Sequence, residues 1–84
     1  QACLVFWENS CAGCGEVRSL EADHFVSLYN PDCPGTVATN IIPLCKSCNA
    51  SKQERDPFEW FADKFGAEAA KEKLSRITTY FNLL

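Results

Sequence analysis

The stretch TNIIPLCKSCNASK (Thr39 to Lys52) decides how this chain folds. It opens as a short apolar strand, Ile41, Ile42 and Leu44, in which Pro43 restricts the strand to an edge or an end of a sheet. It then runs without a spacer into Cys45-Lys46-Ser47-Cys48, and a helix is predicted from about Cys45 to Arg55. Working outward, a matching CxxC lies upstream in CAGCG (Cys11 to Gly15), where Gly13 and Gly15 allow the positive φ of a tight knuckle. Between the two pairs sits EADHF (Glu21 to Phe25), inside the best strand candidate, Val17 to Ser27.

The flanks are helical in pattern. Ala2 to Asn9 carries Leu4, Val5, Phe6 and Trp7 in one run and reads as a short helix ending near Asn9. Tyr29 to Thr39 is loop, punctuated by Asn30-Pro31-Asp32 and Pro34-Gly35. Asp56-Pro57-Phe58-Glu59 is a helix start, with Asp56 as N-cap, Pro57 at the first helical position and Glu59 completing a capping box. Phe58, Phe61, Ala62 and Phe65 recur at helical spacing and are expected to face a core, while Trp60 reads as core or interface rather than a base-stacking platform. Gly66 ends that helix, and a last one from about Ala67 places Ala70, Leu74, Ile77, Phe81 and Leu84 on one face.

With 84 residues the chain is expected to form one small domain: an N-terminal segment (1–10), a core (11–55) and two packing helices (56–84). A domain of this size buries only about 60% of its unfolded surface, so it needs staples such as disulfides or a structural metal. The chain starts at Gln1 rather than Met and reads as part of a longer protein. There is no membrane-length apolar run and no secretion signal. A net charge of -3 speaks against a dedicated nucleic-acid-binding domain, although Lys46, Lys52 and Arg55 cluster in one segment.

Two CxxC knuckles separated by 30 residues suit tetrahedral Zn2+ held by four thiolates, Cys11, Cys14, Cys45 and Cys48. The alternative is a disulfide framework, which six cysteines would also permit. Cys3 and Cys33 are left over, as a small buried hydrophobe and a loop thiol. A site filled by four thiolates has no open position for water, so this metal would hold the fold rather than do chemistry. Its clamp brings the end of the first strand beside the start of the Cys45 helix, and so brings Asp23 and His24 near Asn49.

That neighbourhood matches the needs of phosphodiester hydrolysis. A water must lose a proton as it attacks, and the developing charge must be stabilised. His24, the single histidine, is suited to base work near neutral pH. Asp23 and the amide oxygen of Asn49 suit a hard, oxygen-loving cation such as Mg2+. A histidine after a strand is otherwise a hydrogen-bonded structural residue, and Lys52 and Arg55 on an exposed helix are otherwise solvated charges.

The order CxxCG, Asp-His, Asn, LCxxCNxxK resembles the zinc-clamped branch of the HNH nucleases, of ββα-metal fold, over about Cys11 to Lys52. Asp56-Pro57 followed by Trp60 also resembles what trails the motif. The resemblance implies an α+β domain, a short β-hairpin plus a helix clamped by a four-cysteine zinc site, with additional C-terminal helices. It implies a DNA endonuclease with His24 as general base and Asp23 and Asn49 as ligands of the catalytic ion. Asn40 would bond backbone across the long loop and orient His24. Lys52, one turn beyond Asn49, would contact phosphate, with Arg55 beside it. The products would carry a 5′-phosphate and a 3′-hydroxyl. The implied partner is double-stranded DNA in an intracellular, bacterial or phage setting, and cutting two strands would favour a homodimer or a larger parent protein. Two other readings remain: a zinc module that grips nucleic acid without cutting, and a zinc-stabilised protein-interaction domain.

Overall fold

The computed structural model describes residues 5–84; Cys3 and the start of the expected N-terminal helix lie outside them. Two antiparallel strands, β1 (Leu20–His24) and β2 (Ile41–Cys45), are followed by three helices, α1 (Lys46–Lys52), α2 (Pro57–Phe65) and α3 (Ala67–Leu83). The register runs from Leu20↔Cys45 to His24↔Ile41. The hairpin therefore has a cysteine end and a histidine end.

β1 is much shorter than Val17–Ser27. Ser19 adopts φ 55°, which breaks the extended run before Leu20. Beyond His24, both the N–H and the C=O of Val26 are taken by the Asn40 side chain, so the ladder stops there. β2 keeps Pro43 in its middle because the missing N–H falls on the outer edge. The carbonyl of Pro43 points the same way and accepts from Ala12 N at 2.8 Å, which attaches the first knuckle. α1 is likewise shorter than expected: Gln53 turns to φ 49° and closes the helix on Asn49 O.

α2 starts as its residues dictate, with Asp56 accepting from Glu59 N at 3.0 Å and Pro57 in the first turn. Its buried face is Pro57, Trp60 and Phe61, with Phe65 beside them; Phe58 and Ala62 are exposed. Phe58 instead meets Phe25 edge-on at 5.7 Å. In α3 the buried positions are Ala70, Ile77 and Tyr80, with Leu74 and Phe81 partly covered and Leu84 exposed. Tyr80 is drawn inside by the N-terminal segment, where Phe6 and Trp7 pack on its ring at 5.0 and 5.7 Å. Trp7 itself is covered by the Arg76 guanidinium, 4.7 Å from its ring.

One close approach joins these layers. Gly13 lies where a Cβ would meet Phe65 Cζ at 3.3 Å and Cys48 Sγ at 3.5 Å. The knuckle's left-handed glycine is Gly15, at φ 84°. Lys73 of α3 donates to Gly13 O at 2.7 Å, so the last helix is tied to the first knuckle.

Candidate functional site

Four thiols converge at the cysteine end of the hairpin. The sulfurs of Cys11, Cys14, Cys45 and Cys48 lie within 4.8 Å of one another, and Cys14 and Cys45 are 3.6 Å apart. Tetrahedral zinc with Zn–S bonds of about 2.3 Å requires sulfurs about 3.8 Å apart. The described cysteines are free thiols, so the disulfide alternative is not the arrangement adopted. Gly13 N points at Cys11 Sγ (3.3 Å) and Cys48 N at Cys45 Sγ (3.4 Å), the amide donors expected around bound thiolates.

The protonation balance fits the same group. Burial pushes the Cys48 thiol well up, with the charge of Cys11 adding to it. Burial also raises Cys14. Burial acts on Cys45 as well, but the Cys48 amide and the surrounding sulfur contacts hold it below the ordinary thiol value. Thiolates this close repel, and a divalent cation at their centre removes the penalty. The donor set and its spacing therefore suit zinc.

From beside the cysteine end toward His24, β1 and α1 face each other through two polar rungs, one at Glu21 (opposite Leu44) and one at Asp23 (opposite Ile42). Glu21 and Asp23 are two apart on the strand and share a face; Asn49 and Lys52 are three apart on the helix and share one too. Asn49 Nδ2 donates to Glu21 Oε1 at 2.7 Å. Lys52 Nζ sits 2.9 Å from Asp23 Oδ2 and donates to His24 O at 2.9 Å. Burial pushes the Asp23 carboxyl above the ordinary carboxylate value, and the Lys52 ammonium pulls it back only in part.

Comparison with known families decides what these two ends belong to. The model of the HNH endonuclease family matches residues 11–55. This chain belongs to the HNH endonuclease family. The match takes in both knuckles, both strands and α1, and stops short of α2. No curated protein and no solved structure matches the chain. Family membership and a thiol cluster able to hold a metal ion together support a nuclease-type or metal-binding domain, of a family that generally acts on nucleic acids. Among the described residues no helix is long and apolar enough to cross a membrane.

Within the HNH frame, Asp23 and His24 are adjacent at the end of β1. Asp23 meets Lys52 of α1 and Asn49 meets Glu21, and among the described residues no hydrogen bond or ion pair joins Asp23 or His24 directly to Asn49. The His24 ring contacts Thr36 Oγ1 through Nε2 at 2.9 Å. Asn40 is buried at 1% exposure. Its Nδ2 donates to Val26 O (3.0 Å) and Gly35 O (3.1 Å), and its Oδ1 accepts from Val26 N (2.8 Å), pinning both sides of the loop that follows His24. Arg55 lies apart, ion-paired with Asp63 of α2.

The largest departure concerns Lys52. An exposed helix face was expected, yet Lys52 is 0% exposed, because α1 turns this face onto the Asp23 side of β1. Two partners escaped the sequence reading. Glu21 was legible in principle, since it lies two before Asp23 on the same strand face. Thr36 was not, because a loop brings it back to His24.

Proposed function

We propose that this domain is a metal-dependent DNA endonuclease that hydrolyses phosphodiester bonds. The support for this reading is that Asp23 and His24 close β1 against α1, where Lys52 pairs with Asp23 and Asn49 bonds Glu21, two residues before Asp23, on a hairpin whose far end gathers four thiols. His24 accepts the proton of the attacking water. Thr36 holds the ring through Nε2, which leaves Nδ1 as the nitrogen that takes that proton. Asp23 and Asn49 are the protein ligands of a Mg2+-type cation. The donor set suits it: an ionised Glu21 can only accept, so it engages the Asn49 amide nitrogen and leaves Oδ1 for a cation. When bound, the cation supplies positive charge beside the leaving oxygen. Asn40 fixes the loop that carries Thr36 and so acts on the orientation of His24.

Double-stranded DNA is the substrate this reading names, within a cell. The domain's net charge of -3 implies that flanking sequence or a second copy supplies much of the grip. The test is plasmid nicking with Mg2+, Mn2+ or EDTA, comparing the wild type with His24→Ala. Nicking that needs metal and falls by about 10²–10⁴-fold in the variant, with melting unchanged, is expected. A folded, zinc-loaded wild type that binds DNA and leaves it intact would instead indicate a binding module.

A further inference from the structure

We propose that Lys52 is a positioning residue that locks the metal ligand and the base to each other, and that it makes no contact with phosphate. The inference rests on the nuclease reading of Asp23 and His24. Adjacent strand residues project their side chains to opposite faces. The Asp23 carboxylate and the His24 ring therefore need a separate tie to keep one relative geometry. Lys52 provides it from beneath. Its ammonium pairs with Asp23 Oδ2 at 2.9 Å and donates to His24 O at 2.9 Å, so one group grips the side chain of one residue and the backbone of the next.

Burial distinguishes this role from anion binding. The Lys52 side chain is 0% exposed and that of Asp23 11%. An ammonium drawn out to a phosphate would leave a buried carboxylate unpaired, which is strongly unfavourable. The second rung, Glu21 with Asn49, braces the same strand and helix from their exposed side. The strand–helix pair is thus a frame in which α1 contributes Asn49 as a ligand and Lys52 as the clamp.

The experiment compares wild type, Lys52→Met and Lys52→Arg in three readouts. A double-mutant cycle of Lys52→Met with Asp23→Asn, followed by thermal melting, is expected to show the double variant more stable than Lys52→Met alone. Mn2+ affinity, measured by calorimetric titration of the zinc-loaded protein, is expected to fall about tenfold or more in Lys52→Met, as for other outer-shell partners of metal ligands. Lys52→Arg, which keeps the charge, recovers part of it. Nicking kinetics are expected to lose kcat with KM and its salt dependence unchanged.

Two results overturn the proposal. A phosphate contact would shrink the salt slope of DNA binding by about one while Mn2+ affinity stays intact. A purely structural lysine would lower the melting temperature and leave both Mn2+ affinity and kcat at wild-type values. A wild type that neither binds Mn2+ nor nicks DNA would remove the nuclease reading, and the proposal with it.

Discussion

The two ends of the hairpin are built from the same two strands and solve opposite problems. At the Leu20↔Cys45 end, soft sulfur donors close around one point, with backbone amides turned toward them and α2 and α3 packed over the knuckle. From Glu21 along β1 to the His24↔Ile41 end, hard oxygen and nitrogen groups face each other across a strand–helix seam, and their contacts are salt bridges and hydrogen bonds rather than packing. A closed ligand set contributes folding energy; an open one leaves room for water and substrate. The difference shows how a chain of 84 residues can keep a polar site at all. A metal held at the thiol end would fix the strands there, which leaves the rest of the seam free to carry polar groups.

Removing zinc is the most severe way to break this comparison. A structural zinc site contributes about 10–16 kcal/mol in small domains, as much as the whole stability of about 5–15 kcal/mol. Chelation under reducing conditions is expected to unfold the domain, read by far-UV circular dichroism and by the fluorescence of Trp7 and Trp60. The loss should come more readily as pH falls, since protons compete with zinc for the thiolates. A domain that stayed folded without zinc would show that the aromatic core suffices alone.

Asn40→Ala tests the polar end for stability. Three hydrogen bonds to Val26 and Gly35 are lost inside a buried site, and about 3 kcal/mol of destabilisation by urea unfolding is expected. Zinc content should be unchanged, which would separate the two ends. Loss of zinc from this variant would join them.

Glu21→Gln sharpens the picture of the open end. A glutamine can donate as well as accept, so it no longer dictates which end of the Asn49 amide faces the seam. The divalent ion needed for half-maximal nicking should rise about tenfold, with melting unaffected. An unchanged metal requirement would mean that Asn49 needs no such orientation.

The smallest effect is expected at the closed end. In Gly13→Ala the new Cβ would stand 3.3 Å from Phe65 Cζ and 3.5 Å from Cys48 Sγ. A loss of about 1 kcal/mol is expected from the crowding, seen in urea midpoints with zinc still bound. A neutral result would show that Phe65 yields and that α2 is not pressed onto the knuckle.

Much of this was legible because it depends on local spacing. CxxC turns two sulfurs toward one point whatever surrounds it, and Asp56-Pro57-Phe58-Glu59 starts a helix by its own capping chemistry. Ends of elements were less legible. β1 is cut short by Ser19 and by the reach of Asn40 across the loop, and neither leaves a trace in periodicity. Helical faces were read correctly in direction, Trp60 included, but shifted in detail, with Tyr80 inside and Phe58 and Leu84 outside. Which flank of an apolar stripe is buried depends on the neighbour that covers it.

The sequence by itself determined the four-thiol clamp and the hairpin–helix order, because each follows from residue type and spacing along the chain, while Asp23, His24, Asn40 and Asn49 were singled out through the resemblance to a family. Only the tertiary structure decided what those groups touch. Folding α1 against β1 placed Lys52 under Asp23 rather than in solvent, set Glu21 against Asn49, and brought Thr36 back to the ring of His24. These contacts join residues at least 12 positions apart. Pairing at that distance is chosen by which faces pack and which charges must be neutralised once buried, and no local pattern encodes it.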